Sequence, residues 1–231
     1  MKVKLFCTIV ALFINTTSAN TIINGTRVIY PEKNKEIIVQ LVNNGDEPSL
    51  IQAWIDNGDI NSTPETAHVP FLLTPPVVKV SGHNGQQLRI QKLPAPLPGD
   101  EESVFYLNVL DIPPKPENML NENTIQLAIK SRIKLFYRPE SMKGTLDDAV
   151  SKIVNNTNGN NLTLINNSPF HITVSNIATN KKEFLMNDAI MINPYSQTNI
   201  RTKRNISKGE TFYLKYVDDL GSYKSKSFVA R

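Results

Sequence analysis

The chain has 231 residues, with 25 lysines and arginines against 21 acids, 40% apolar residues and a single cysteine, Cys7. So even a charge balance argues against a basic nucleic-acid-binding protein, and one cysteine excludes a disulfide framework and a cysteine-built metal shell. The length suits one large or two small domains, each with an adequate packed core.

The first 19 residues read as a secretory signal peptide. Lys2 and Lys4 precede the apolar run Leu5 to Ile14, and Thr17-Ser18-Ala19 offers the small residues that signal peptidase accepts. The apolar run is too short for a membrane span, which needs about 20 residues. Removal after Ala19 takes two lysines and no acid, leaving 23 bases against 21 acids and no thiol. Any specific anion site must then come from placed residues, because the global field is weak.

Beyond the leader, short runs rich in β-branched and aromatic residues recur: Gly25 to Tyr30, Ile37 to Val42, Leu50 to Ile55, Val77 to Val80, Leu88 to Leu93, Val104 to Ile112 and Ile125 to Tyr137. Turn clusters such as Asn43-Asn44-Gly45-Asp46 and Pro98-Gly99-Asp100 separate them. About seven strands at this spacing predict an antiparallel β-sandwich. Residues 140–161 break the rhythm, with a short helical turn expected at Leu146 to Val154 and a polar loop from Asn155 to Asn161. A domain boundary is placed there, between residues 20–140 and 141–231. Strand patterning then returns in Leu162 to Asn166, His171 to Ile177, Ala189 to Ile192, Thr198 to Thr202, Thr211 to Val217 and Tyr223 to Val229. The expected class is all-β, with two sandwiches.

Catalytic signatures are missing. His68, His83 and His171 stand in no metal-ligand spacing and read as surface or half-buried imidazoles. No nucleophile elbow, phosphate loop or dinucleotide fingerprint occurs. Asp218 and Asp219, if on a strand, would point to opposite faces and could not act as one acid–base pair. The chain is therefore read as a non-enzyme that needs no cofactor and no metal.

The unusual segment is Ile125 to Tyr137, which as one strand would exceed the usual five or six residues. Its odd positions, Ile125, Leu127, Ile129, Ile133, Leu135 and Tyr137, are apolar except for Ser131. One face wants a core. If its first half projects beyond the domain, Ile125, Leu127 and Ile129 form an unblunted apolar edge, which invites a partner strand.

Six stretches resemble the periplasmic pilus-assembly chaperones. They are GTRVIYP (Gly25 to Pro31), FLLTPP (Phe71 to Pro76), FYLNVLDIPP (Phe105 to Pro114), IQLAIKSRIKLFYRP (Ile125 to Pro139), LTLINNSP (Leu162 to Pro169) and YVDDLG (Tyr216 to Gly221). The resemblance implies two immunoglobulin-like domains in an L-shaped arrangement. It also implies a periplasmic chaperone that completes a pilin subunit with a donated strand and delivers it to an outer-membrane usher. By the same resemblance, Ile125, Leu127 and Ile129 are the donated side chains, Arg27 and Lys134 hold the subunit's C-terminal carboxylate, and Glu102, Arg138 and Asp219 form an interdomain cluster. The ten residues between Pro114 and Ile125 match the short-loop subfamily that serves rod-like pili. The free chaperone could also self-associate through its exposed strand. By strict alternation Lys134 lies on the face opposite Ile125, Leu127 and Ile129, so either a bulge intervenes or the two faces serve different parts of the subunit. The alternative reading is a pilin or adhesin subunit, disfavoured because the mature chain lacks both a cysteine and an apolar N-terminal arm.

Overall fold

The computed structural model describes residues 21–115, 126–179 and 183–231. The leader, Ile125 and most of the connection before it lie outside that range.

Among the described residues nine strands build the first unit: β1 (Thr21–Ile23), β2 (Arg27–Pro31), β3 (Glu36–Asn43), β4 (Ser49–Asp56), β5 (Phe71–Thr74), β6 (Val77–Val80), β7 (Gly85–Lys92), β8 (Ser103–Ile112) and β9 (Ile129–Arg138). They pair as two sheets, β1-β3-β7-β5 and β2-β9-β8-β4-β6. Period-two patterning explains the sandwich. β8 turns Phe105, Leu107 and Val109 inward, β4 does the same with Ile51, Ala53 and Ile55, and β7 contributes Leu88 and Ile90. These meet Tyr30, Leu41, Leu135 and Tyr137 in one core. Burying each such side chain stabilises the fold by about 1.5–3 kcal/mol before entropy is counted.

After β9, Thr145 caps a short helix α1 (Leu146–Ser151), accepting from the Asp148 amide while the Asp148 side chain reaches back. Among the described residues seven strands follow: β10 (Val154–Asn158), β11 (Asn161–Asn166), β12 (Ile172–Thr179), β13 (Ile190–Ile192), β14 (Ser196–Arg201), β15 (Thr211–Val217) and β16 (Tyr223–Val229). Their sheets run β10-β11-β14 and β13-β12-β15-β16, around a separate core that includes Leu162, Leu164, Ile172, Ile177, Phe212 and Leu214.

Several expectations need correction. Asn155 to Asn161 is not a loop: β10 and β11 form a hairpin through it, turning at Gly159 with φ +58°. Asn155 and Thr157 are buried despite their polarity, because they bond to the Val229 and Arg231 carbonyls of the last strand region. The helix stops at Ser151, and Val154 already belongs to a strand. Asp218 and Asp219 lie past the end of β15, in the turn before β16, where the Asp218 carboxylate accepts from the Leu220 and Ser222 amides. His171 is buried and not a surface or half-buried imidazole. The thirteen-residue strand is also shorter: β9 starts at Ile129, and 126–128 have no strand partner.

Candidate functional site

β9 is paired on one side throughout, from Asp111↔Ile129 to Ser103↔Tyr137 along β8. On its other side the parallel strand β2 covers only Lys134 to Arg138. Among the described residues no strand pairs Ile129 to Ile133 on that side, so their backbone groups face an open edge, a template for another strand. Leu127 is 72% exposed and Ile129 46% exposed, although an apolar side chain gains by burial. Ile125, the third residue assigned to this edge, lies outside the described residues.

The open edge ends where β2 begins, and there Arg27 stands register-for-register beside Lys134. The Arg27 guanidinium donates to the Val217 carbonyl at 3.0 Å, and Lys134 Nζ donates to Thr173 Oγ1 at 3.2 Å. Both contacts come from the second sandwich, so the pair lies in the cleft between the two. Among the described residues no carboxylate is within ion-pair distance of either, and Arg27 Nε is buried without a partner. Burial pushes the Lys134 ammonium below its ordinary value, and the neighbouring Arg27 charge adds to this. Burial likewise lowers Arg27, against the raising influence of Asp219, Asp218 and Glu102. Two adjacent, partly desolvated cations make a site that an anion would relieve.

The register also answers how Lys134 relates to the apolar edge. β8 and β9 pair without a shift from Ile129 to Tyr137, so no bulge separates them. Odd residues of β9, Ile133, Leu135 and Tyr137, face the sandwich core, while Lys134 faces the cleft. Ile129 shares the core-side parity, so the two faces of one strand carry different chemistry.

Glu102, Arg138 and Asp219 come together at the junction. Arg138 bonds Glu102 at 2.7 Å and Asp219 at 2.8 Å, and its contact with Asp219 is a two-point fork. Burial alone would lower the Arg138 pKa, but its bonds to Asp219 and the two acidic charges raise it. Glu102 is buried, and its second oxygen accepts from the His171 amide at 2.8 Å. A network of this kind joins three segments of the chain far apart in sequence.

Residues 20–143 match the family described as the pili and flagellar-assembly chaperone, PapD N-terminal domain, and residues 148–228 match the pili assembly chaperone PapD, C-terminal domain. The chain belongs to the pilus-assembly chaperone family. It is 42% identical over 207 residues to the probable fimbrial chaperone YehC of Escherichia coli, covering 90% of this chain and 85% of that one. Against the chaperone protein MrkB of Klebsiella pneumoniae the identity is 43%, with 88% of each chain covered. The solved CupB2 chaperone of Pseudomonas aeruginosa superposes with a TM-score of 0.76 at 28% identity, covering 91% of this chain and all of that one. This membership sets aside the pilin or adhesin alternative.

Several residues of the chaperone's cleft are not evident from sequence reasoning. Thr173 is buried between Ile172 and Val174 on β12, a strand that also carries Ser175, Asn176 and Thr179, so no local pattern singles it out. Phe136 packs its ring 5.6 Å from His171 and lies under Arg27, at 5.7 Å from the guanidinium. Gly221, at φ +84°, abuts Thr26 so closely that a Cβ would clash with the hydroxyl, so a larger residue would strain the hairpin after β15 and displace Thr26. Among the described residues no group of three His, Cys, Asp or Glu side chains could hold a metal, and no helix is long and apolar enough to cross a membrane.

Proposed function

We propose that the chaperone captures pilin subunits along the open edge of β9, holds their C-terminal carboxylate between Arg27 and Lys134, and passes them to an outer-membrane usher. On this reading residues 1–19 are removed on export, the protein acts in the periplasm as a non-enzyme, and 20–140 and 141–231 are its two domains. The observation that carries it is the end of the open edge at a cation pair that, among the described residues, has no carboxylate in contact. A strand that takes this edge in the direction of β2 would finish with its carboxylate facing Arg27 and Lys134. Fimbrial chaperones are also its relatives at about 40% identity.

The parts of the site divide the work. Exposed Leu127 and Ile129, and Ile125 before them, would enter the subunit's groove, each worth about 1.5–3 kcal/mol when fully buried. Backbone bonds add about 0.5–1.5 kcal/mol each but do not choose a register, since a strand can slip along its neighbour. The carboxylate anchor chooses it. Glu102, Arg138 and Asp219 hold the second sandwich against the first, so that Thr173 and Val217 stay beside the two cations.

The direct test is to co-express the full chain with a pilin subunit from the same source and purify the periplasmic fraction by the chaperone. A one-to-one complex is expected, and a chaperone that emerges alone from cells making stable pilin contradicts the proposal.

A further inference from the structure

The outer face of β9 carries cations at Lys130, Arg132, Lys134 and Arg138, with Phe136 between the last two. Any of them could in principle take a carboxylate. A strand slipped by one residue presents its apolar side chains to the wrong face, but a slip of two preserves the faces and is the error that matters. Arg132 lies two residues, about 6.6 Å, before Lys134 on this face.

Arg132 is already occupied. Its Nε bonds Asp56 Oδ2 at 3.0 Å and its Nη2 bonds Asp56 Oδ1 at 2.6 Å, a fork that uses both carboxylate oxygens. Asp56, only 1% exposed, also accepts from Asn108 Nδ2 at 2.6 Å and from the Gly58 amide at 2.7 Å. Burial would raise its pKa, but these bonds outweigh it and hold Asp56 below the ordinary carboxylate range. The Arg132 guanidinium also lies 3.6 Å above the Tyr106 ring, which fixes its plane. Tyr106 is the register neighbour of both Asp56 and Lys134, so the network adjoins the anchor. Lys130 is exposed and donates to the Ile60 carbonyl, leaving a hydrated point charge that anchors weakly.

We propose that Asp56 is a register-determining residue, which occupies Arg132 so that a subunit's carboxylate can settle only at Arg27 and Lys134 and not two residues early. This rests on the anchoring reading above. Asp56 acts through Arg132 and is a positioning residue.

The test uses the mature full-length chain and a synthetic peptide of the last strand of a cognate pilin, made as the free acid and as the amide. Register is read by disulfide trapping between Lys130→Cys and a single cysteine scanned along the peptide. In the Lys130→Cys background with Asp56 intact, one trapping maximum and a preference for the acid on the order of 30-fold or more are expected. Asp56→Asn should add a second maximum displaced by two peptide residues, and adding Arg132→Gln should remove it again. Arg132→Lys alone, which keeps a cation beside the buried Asp56, should change neither register nor acid preference, an arm that holds even if Asp56→Asn does not fold. A single unshifted maximum in folded Asp56→Asn, or a lost acid preference in Arg132→Lys, overturns the proposal. Equal binding of acid and amide with Asp56 intact instead overturns the anchoring reading, and this proposal with it.

Discussion

Arg27 and Lys134 are direct neighbours across the parallel pair β2–β9, and each is tied to the second sandwich by one hydrogen bond, to Val217 and Thr173. Among the described residues no carboxylate touches either one, so placing the two cations side by side raises the energy of the empty chaperone, a cost that a bound anion would recover.

Arg27→Ala or Lys134→Ala should therefore abolish subunit capture without harming the fold. A carboxylate left short of a buried partner loses about 2–5 kcal/mol. Thermal unfolding of each empty variant should match or exceed that of the original protein, while co-purified pilin falls to background. Undiminished complex from both variants would remove the anchoring role.

The same pair predicts a pH dependence. Lys134 has a lowered pKa in the folded, empty chaperone, so folding releases protons between that value and the ordinary 10.5. The empty protein should gain stability from this group as pH rises through that alkaline window, whereas subunit affinity should fall as the ammonium is lost. Lys134→Arg should flatten the fall in affinity. Titration calorimetry across the window checks the sign, and an affinity that rises with pH contradicts it.

Leu127→Asp should block capture and leave the isolated chaperone intact. The side chain is exposed and outside any strand, so stability should change by no more than about 0.5 kcal/mol. In the complex a buried carboxylate would cost several kcal/mol. A collapse in thermal stability would show that Leu127 belongs to the chaperone's own core.

Arg138→Ala should destabilise strongly, by about 3–5 kcal/mol, because it strands the buried Glu102 carboxylate. Asp219→Ala should cost less, since that side chain is 36% exposed and Glu102 still holds the arginine. Chemical denaturation of both variants tests the order, and equal losses would show that the Asp219 contact carries the network and the Glu102 contact adds nothing.

Export should leave a chain that begins at Asn20, recovered from the periplasm. N-terminal sequencing of the purified protein decides this, and Met1 retained in a membrane fraction contradicts it.

Alternation in the sequence was enough to mark most strands, because side-chain period is a local property that burial imposes on each strand separately. It misread Asn155 to Asn161, where polar residues pair in a hairpin whose partners, the Val229 and Arg231 carbonyls, come from the far end of the chain. It also made the strand before Tyr137 too long, since apolar alternation continues through Leu127 where the partner strand does not. The motif resemblance pointed to Arg27, Lys134 and the Glu102, Arg138 and Asp219 group, but composition alone could not tell these cations from the others. Only the tertiary structure decided that β2 begins opposite Lys134 and leaves the edge before it open, that Arg27 lies beside that lysine, and that Arg132 is already held by Asp56. Strand pairing and counter-ion choice depend on which distant segments meet, and no local period records that.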